Sequence, residues 1–108
     1  MVKVQGTTIC MTRGDTAEIN LSIKDDSNVE YDLVEGDVVV FSVKQNLSDE
    51  AYLIQKTFSD KEIVIEHEDT KELSFGEYLY DVQITFSDGK VATIITPSKL
   101  ILEGEVHN

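Results

Sequence analysis

Tryptophan is absent from this chain, and cysteine and proline occur once each, as Cys10 and Pro97. With aromatics at 7% and no indole among them, little is on hand for a platform on which sugars could stack. A single cysteine excludes an internal disulfide framework and fits a reducing compartment. Set between Ile9 and Met11, its thiol has no local base and reads as buried or inert. No stretch approaches the roughly 20 apolar residues of a membrane-spanning helix. The start, "MVKVQGTTICM", has no apolar core of a signal peptide, so no secretion route is expected. Cations are scarce too. Nine Lys and Arg stand against 21 Asp and Glu, a formal net charge of −12, which repels phosphate backbones and anionic lipid surfaces. Neither nucleic acid nor membrane is therefore expected as a partner.

What the chain does contain is a period of two. "AEINLSIK" sets Ala17, Ile19, Leu21 and Ile23 on one side and polar residues on the other, as a half-buried strand requires. "DVVVFSVK" places Val39, Phe41 and Val43 on one face and Val38, Val40 and Ser42 on the other, which predicts a central strand. "AYLIQKTF" and "KEIVIEH" follow around Ser59 and Asp60, with Ile63 and Ile65 inward. In "EYLYDVQITF" the residues Tyr78, Tyr80, Val82, Ile84 and Phe86 share one face. "SDGK" then predicts a tight hairpin, with Asp88 and Gly89 at the positive-φ positions of a primed turn. "VATIIT" returns antiparallel, Pro97 interrupts, and "KLILEGEV" forms a last strand. The one helical signal is a single turn in "EHEDTKELSFG", with Asp69 or Thr70 as N-cap and Gly76 as its stop.

These features predict one domain over residues 1–108, all-β, built as an immunoglobulin-like two-sheet β-sandwich of seven or eight strands. Tyr78 is the candidate for a tyrosine corner, and Tyr80 follows two positions later.

Residues 13–15 spell Arg13-Gly14-Asp15, the tripeptide that adhesion receptors recognise. Here it lies between two strands, "TTICMT" and "AEINLSIK", where glycine permits positive φ and an aspartate can accept main-chain N–H bonds. A short structural turn is the expectation.

No catalytic pattern is present. The carboxylates of Asp25, Asp26, Glu30, Asp32, Glu35, Asp37, Glu66, Glu68 and Asp69 fall in or beside loops, where solvated charge is the default. "DDSNVEYD" lacks the spacing of a calcium loop, and His67 and His107 are far apart with no second cysteine to join them around zinc. Gly36 and Gly89 are isolated turn glycines, not a phosphate cradle. No cofactor, metal or enzymatic activity is expected.

The order "MTRGDTAEINLSIKDD", "YDLVEGDVVVFSVKQ", "IQKTF" and "EDTKELSFGEYLYDVQITFSDGKVATIITPSKLILEGEV" resembles small structural proteins of tailed phages and prophages of Gram-positive bacteria. It is also similar to the amino-terminal domain of baseplate upper proteins. The resemblance spans nearly the whole chain and implies a non-enzymatic virion structural or assembly protein of the baseplate, neck or head-tail apparatus. Its partners would be other phage structural proteins or further copies of itself. It would sit in the host cytoplasm during assembly and in the virion afterwards. The competing expectation is an immunoglobulin-like module that binds a host or surface ligand through its loops, at residues 13–15 or 25–36. The assembly edge is expected at the terminal strands, in "VKVQG" and above all at Leu100, Ile101 and Leu102.

Overall fold

The computed structural model describes residues 3–5, 8–24, 27 and 29–104. Eight strands and one helical turn lie among them: β1 (Lys3–Gln5), β2 (Thr8–Thr12), β3 (Ala17–Asn20), β4 (Val38–Lys44), β5 (Ile54–Phe58), β6 (Glu62–Ile65), α1 (His67–Thr70), β7 (Gly76–Thr85) and β8 (Val91–Glu103). The fold is all-β. A six-stranded sheet runs β1-β2-β8-β7-β4-β5, and a two-stranded sheet pairs β3 with β6. Every pairing is antiparallel except one: β2 runs parallel to the end of β8, with Ile9 opposite Leu100 and Met11 opposite Leu102.

Alternation decides what each strand contributes. Val39, Phe41 and Val43 of β4 and Tyr78, Tyr80, Val82 and Ile84 of β7 all turn into one core, where they meet Ile63 and Ile65 from the small sheet. Leu100 and Leu102 enter it from β8, Ile9 and Met11 from β2. Beyond β3 the chain stays extended enough to bury Leu21 and Ile23 as well, so the one-sided pattern of "AEINLSIK" outlasts the paired strand.

Four expectations change. The first concerns "VATIIT" and "KLILEGEV", which form one strand of 13 residues. The pairing of β7 with β8 slips between Tyr80 and Gln83, and this irregularity accommodates Pro97, which has no N–H to place in a ladder. Secondly, Leu100, Ile101 and Leu102 are not at an edge. They pair with β7 on one side and with β2 on the other, and Leu100 and Leu102 are buried. The edge strands of the large sheet are β1 and β5. Residues 105 and 106 of "KLILEGEV" lie outside the described residues.

The third change is the hairpin between β7 and β8, a three-residue loop rather than a two-residue primed turn. Phe86 N–H donates to the Lys90 carbonyl, Gly89 N–H donates to the Phe86 carbonyl, and the Asp88 carboxylate accepts from Lys90 N–H. A type I turn followed by a positive-φ glycine suits the strand twist equally well, and Gly89 has φ 92°. Finally, α1 begins three or four residues earlier than the pattern suggested. Glu66 is its N-cap, and Asp69 acts from within the turn, its carboxylate accepting the Glu66 N–H at 2.8 Å. No helix among the described residues is long and apolar enough to cross a membrane.

Candidate functional site

Arg13, Gly14 and Asp15 close a turn in which Asp15 N–H donates to the Thr12 carbonyl at 3.1 Å. Gly14 occupies the third position with φ 86°, a conformation that would crowd a Cβ. The turn is held from outside. Thr70, fully buried at the end of α1, accepts the Gly14 N–H on its hydroxyl at 2.8 Å, and His67 Nδ1 lies 2.6 Å from the Gly14 carbonyl, to which it donates when protonated there. The Arg13 guanidinium lies over the Phe75 ring at 4.2 Å and donates to the Leu73 carbonyl. An adhesion tripeptide holds both charged side chains out to a receptor. This arginine is folded back against its own chain.

Asp37 departs from the expectation of a solvated loop carboxylate. It is 3% exposed, and its two oxygens accept from the Tyr31 hydroxyl at 2.6 Å and from the main-chain N–H groups of Val34 and Ser87 at 3.0 Å. Tyr31 in turn meets Phe86 edge to face at 5.7 Å. The Tyr31 hydroxyl, with help from both N–H groups, holds the carboxyl below the usual aspartate range, and the same bond pushes the Tyr31 hydroxyl up. Gly36 completes the contact. Its φ is 96°, and a Cβ there would come within 2.9 Å of the Ser87 Cβ. One carboxylate thus fastens the 31–37 loop to the hairpin that leads into β8.

Other ionisable groups are likewise occupied internally. Lys56 of β5 donates to the Val64 carbonyl of β6 at 3.1 Å and to Asp69 at 2.8 Å, joining the edge of the large sheet to the small one. Lys61 pairs with Glu30 and Asp32. These contacts hold Glu30 low and Lys61 high in pKa, each chiefly through the other's hydrogen bond. The Tyr78 hydroxyl donates to the Ser74 carbonyl at 2.7 Å, four residues upstream, the kind of bond that a tyrosine corner makes. Asp25, Asp26 and His107 lie outside the described residues. Among those described, no three His, Cys, Asp or Glu side chains gather closely enough to hold a metal ion.

On the outer face of the large sheet a cavity of about 70 Å³ is lined by Ser42, Lys44, Leu47, Tyr52, Asp81 and Pro97. Burial raises the Asp81 carboxyl against the opposing pull of Lys44, whose ammonium sits 4.8 Å from the centre of the Tyr52 ring. That volume holds about two water molecules and is well short of the roughly 300 Å³ of a small-molecule site.

A polar opening of about 210 Å³ lies among Gln45, Asn46, Glu77 and Lys99, and two that are more apolar lie at a strand edge. Among the described residues, 91–96 of β8 pair with β7 only, because β2 joins β8 from Leu100 onward. Below this open stretch runs an apolar trough. One cavity of about 170 Å³ lies among Ile19, Leu21, Tyr80, Val82, Ile94 and Ile95. A second, of about 200 Å³, lies among Ile23, Ile84, Phe86, Ala92 and Ile94, with Lys24 and Thr93 at its rim. The two share Ser22 and Ile94. No family model matches this chain, and no curated protein does. The site is therefore defined by its geometry: main-chain groups at an edge above apolar side chains. Sequence reading missed it because "VATIIT" has the composition of a covered strand, and only the register of β2 leaves it uncovered.

Proposed function

We propose that this chain is a non-enzymatic structural or assembly protein of a tailed-phage or prophage particle, an immunoglobulin-like sandwich that works through protein–protein contacts. The strand order supports the sandwich reading. β2 parallel to the end of β8, β8 beside β7, then β4 and β5, all facing a β3-β6 pair, follows the order of a variable-type immunoglobulin sheet with a reduced second sheet. The Tyr78 bond to Ser74 supports it further. One observation carries the assembly reading: the exposed main-chain groups of residues 91–96 lie on a strand edge over a largely apolar trough. That arrangement suits strand-to-strand association rather than catalysis.

In this reading the protein assembles in the host cytoplasm and ends in the virion. The test is mass spectrometry of particles purified from an induced culture of the strain that encodes the chain. Peptides at a fixed ratio to the major capsid protein are expected. Their confinement to the particle-free fraction would overturn the proposal. A ligand-binding module has one observation in its favour, the exposed Leu47, Tyr52 and Leu53 beside Lys44, and that particle-free outcome is the one it expects.

A further inference from the structure

We propose that the open half of β8, residues 91–96, is a dimerisation edge on which a second copy of this chain adds its own β8 antiparallel, about a twofold axis near Thr93. The inference rests on the assembly reading above and names its surface and its partner.

The hydrogen-bond pattern supplies the first argument. Phe86 and Lys90 form a bonded pair at the hairpin, so by the alternation of an antiparallel ladder Ile84 and Ala92 are bonded too. Val91 and Thr93 then turn their N–H and C=O groups away from β7, toward the side on which no described strand lies. Val91 is 58% exposed. The window is also bounded: the hairpin loop closes one end, and β2, which meets β8 at Leu100, closes the other.

Electrostatics selects the partner. Two copies of a molecule carrying −12 repel one another over most of their surfaces, and like charges meeting at an interface are costly. Residues 91–98 carry no charge, and the residues that bracket them are Lys90 and Lys99. Antiparallel pairing about Thr93 therefore lays uncharged residues of one copy against uncharged residues of the other, while Lys99, which pairs with Glu77 of its own chain at 3.4 Å, stays outside the window. By contrast, the free edges of β3 and β5 carry Glu18 and Lys56, the kind of residue that discourages such pairing.

Side chains fit as well. A twofold axis perpendicular to the sheet keeps inward faces on the same side, so Ala92 and Ile94 of the second copy come down over the trough beside their counterparts. An isologous contact of this kind closes at two copies.

Size exclusion with light scattering over a concentration series reads the assembly. A dimer is expected, with Thr93→Pro, which deletes an N–H aimed away from β7, raising its dissociation midpoint by roughly tenfold or more. Circular dichroism identifies a proline variant that has simply failed to fold. A second variant avoids that risk: Thr93→Cys in a Cys10→Ser background should form a covalent dimer under mild oxidation, whereas Thr57→Cys on β5 should not. A monomer at every concentration overturns the proposal, as does a dimer that survives Thr93→Pro and gives no cross-link at position 93. Association only with another virion protein overturns the choice of a second copy. In each of these cases particle mass spectrometry still reports separately on the virion reading.

Discussion

Asp37 concentrates much of what a single residue does in this protein. A loop carboxylate two positions after Glu35 would ordinarily face water, yet three donors converge on it and its exposure falls to 3%. Its folded pKa lies below the usual aspartate range, so its contribution to stability is fully present above the unfolded value and is lost as pH falls through the lower folded one. Asp37→Asn should therefore lower the urea midpoint at about pH 7, and the gap from the wild type should narrow as pH falls into the acid range and the native carboxyl takes up its proton. An unchanged gap across that range would mean that shape, not charge, makes the latch. The neighbouring Gly36 was legible in the sequence as a turn glycine, but its close approach to Ser87 was not, because that contact joins segments about 50 positions apart.

At the scale of elements, the strands with one clean apolar face were readable, and their inward residues are the core. Pairing was harder to foresee, since a strand's own alternation does not say which neighbour covers its edge. Leu100, Ile101 and Leu102 illustrate this: being last in the chain suggested an edge, but the parallel approach of β2 places them inside the sheet. Edge strand β5 depends on Lys56 for its tie to β6 and α1. Lys56→Met should cost about 1–2 kcal/mol, since it removes one charge-assisted bond and one to a carbonyl. Hydrogen exchange should localise the effect, with protection lost in β5 and β6 and kept in β7. Uniform loss across β7 would show that the sheets open as one unit.

For the molecule as a whole, the dominant quantity is a net charge of −12 on 108 residues. The core must hold together against that self-repulsion, and, among the described residues, five of the nine cations are engaged within the fold: Lys56, Lys61 and Lys99 with carboxylates, Arg13 and Lys44 over aromatic rings. Screening should therefore stabilise the fold. The melting temperature should rise by on the order of 5 °C between low salt and about 0.5 M NaCl, because net repulsion outweighs the surface pairs that salt also weakens. A falling melting temperature would mean that pairs such as Lys61 with Glu30 matter more than the net charge does.

The amino-acid sequence by itself determined that the protein is all-β, which residues face inward, and where the chain turns, because a period of two and a turn glycine are local properties. Tertiary structure alone decided that residues 13–15 are clamped by His67, Thr70 and Phe75, that Asp37 is buried, and that, among the described residues, β8 is covered by β2 along one half and not along the other. Each of those depends on segments distant in the chain meeting at a particular register, and no single stretch of sequence carries that register.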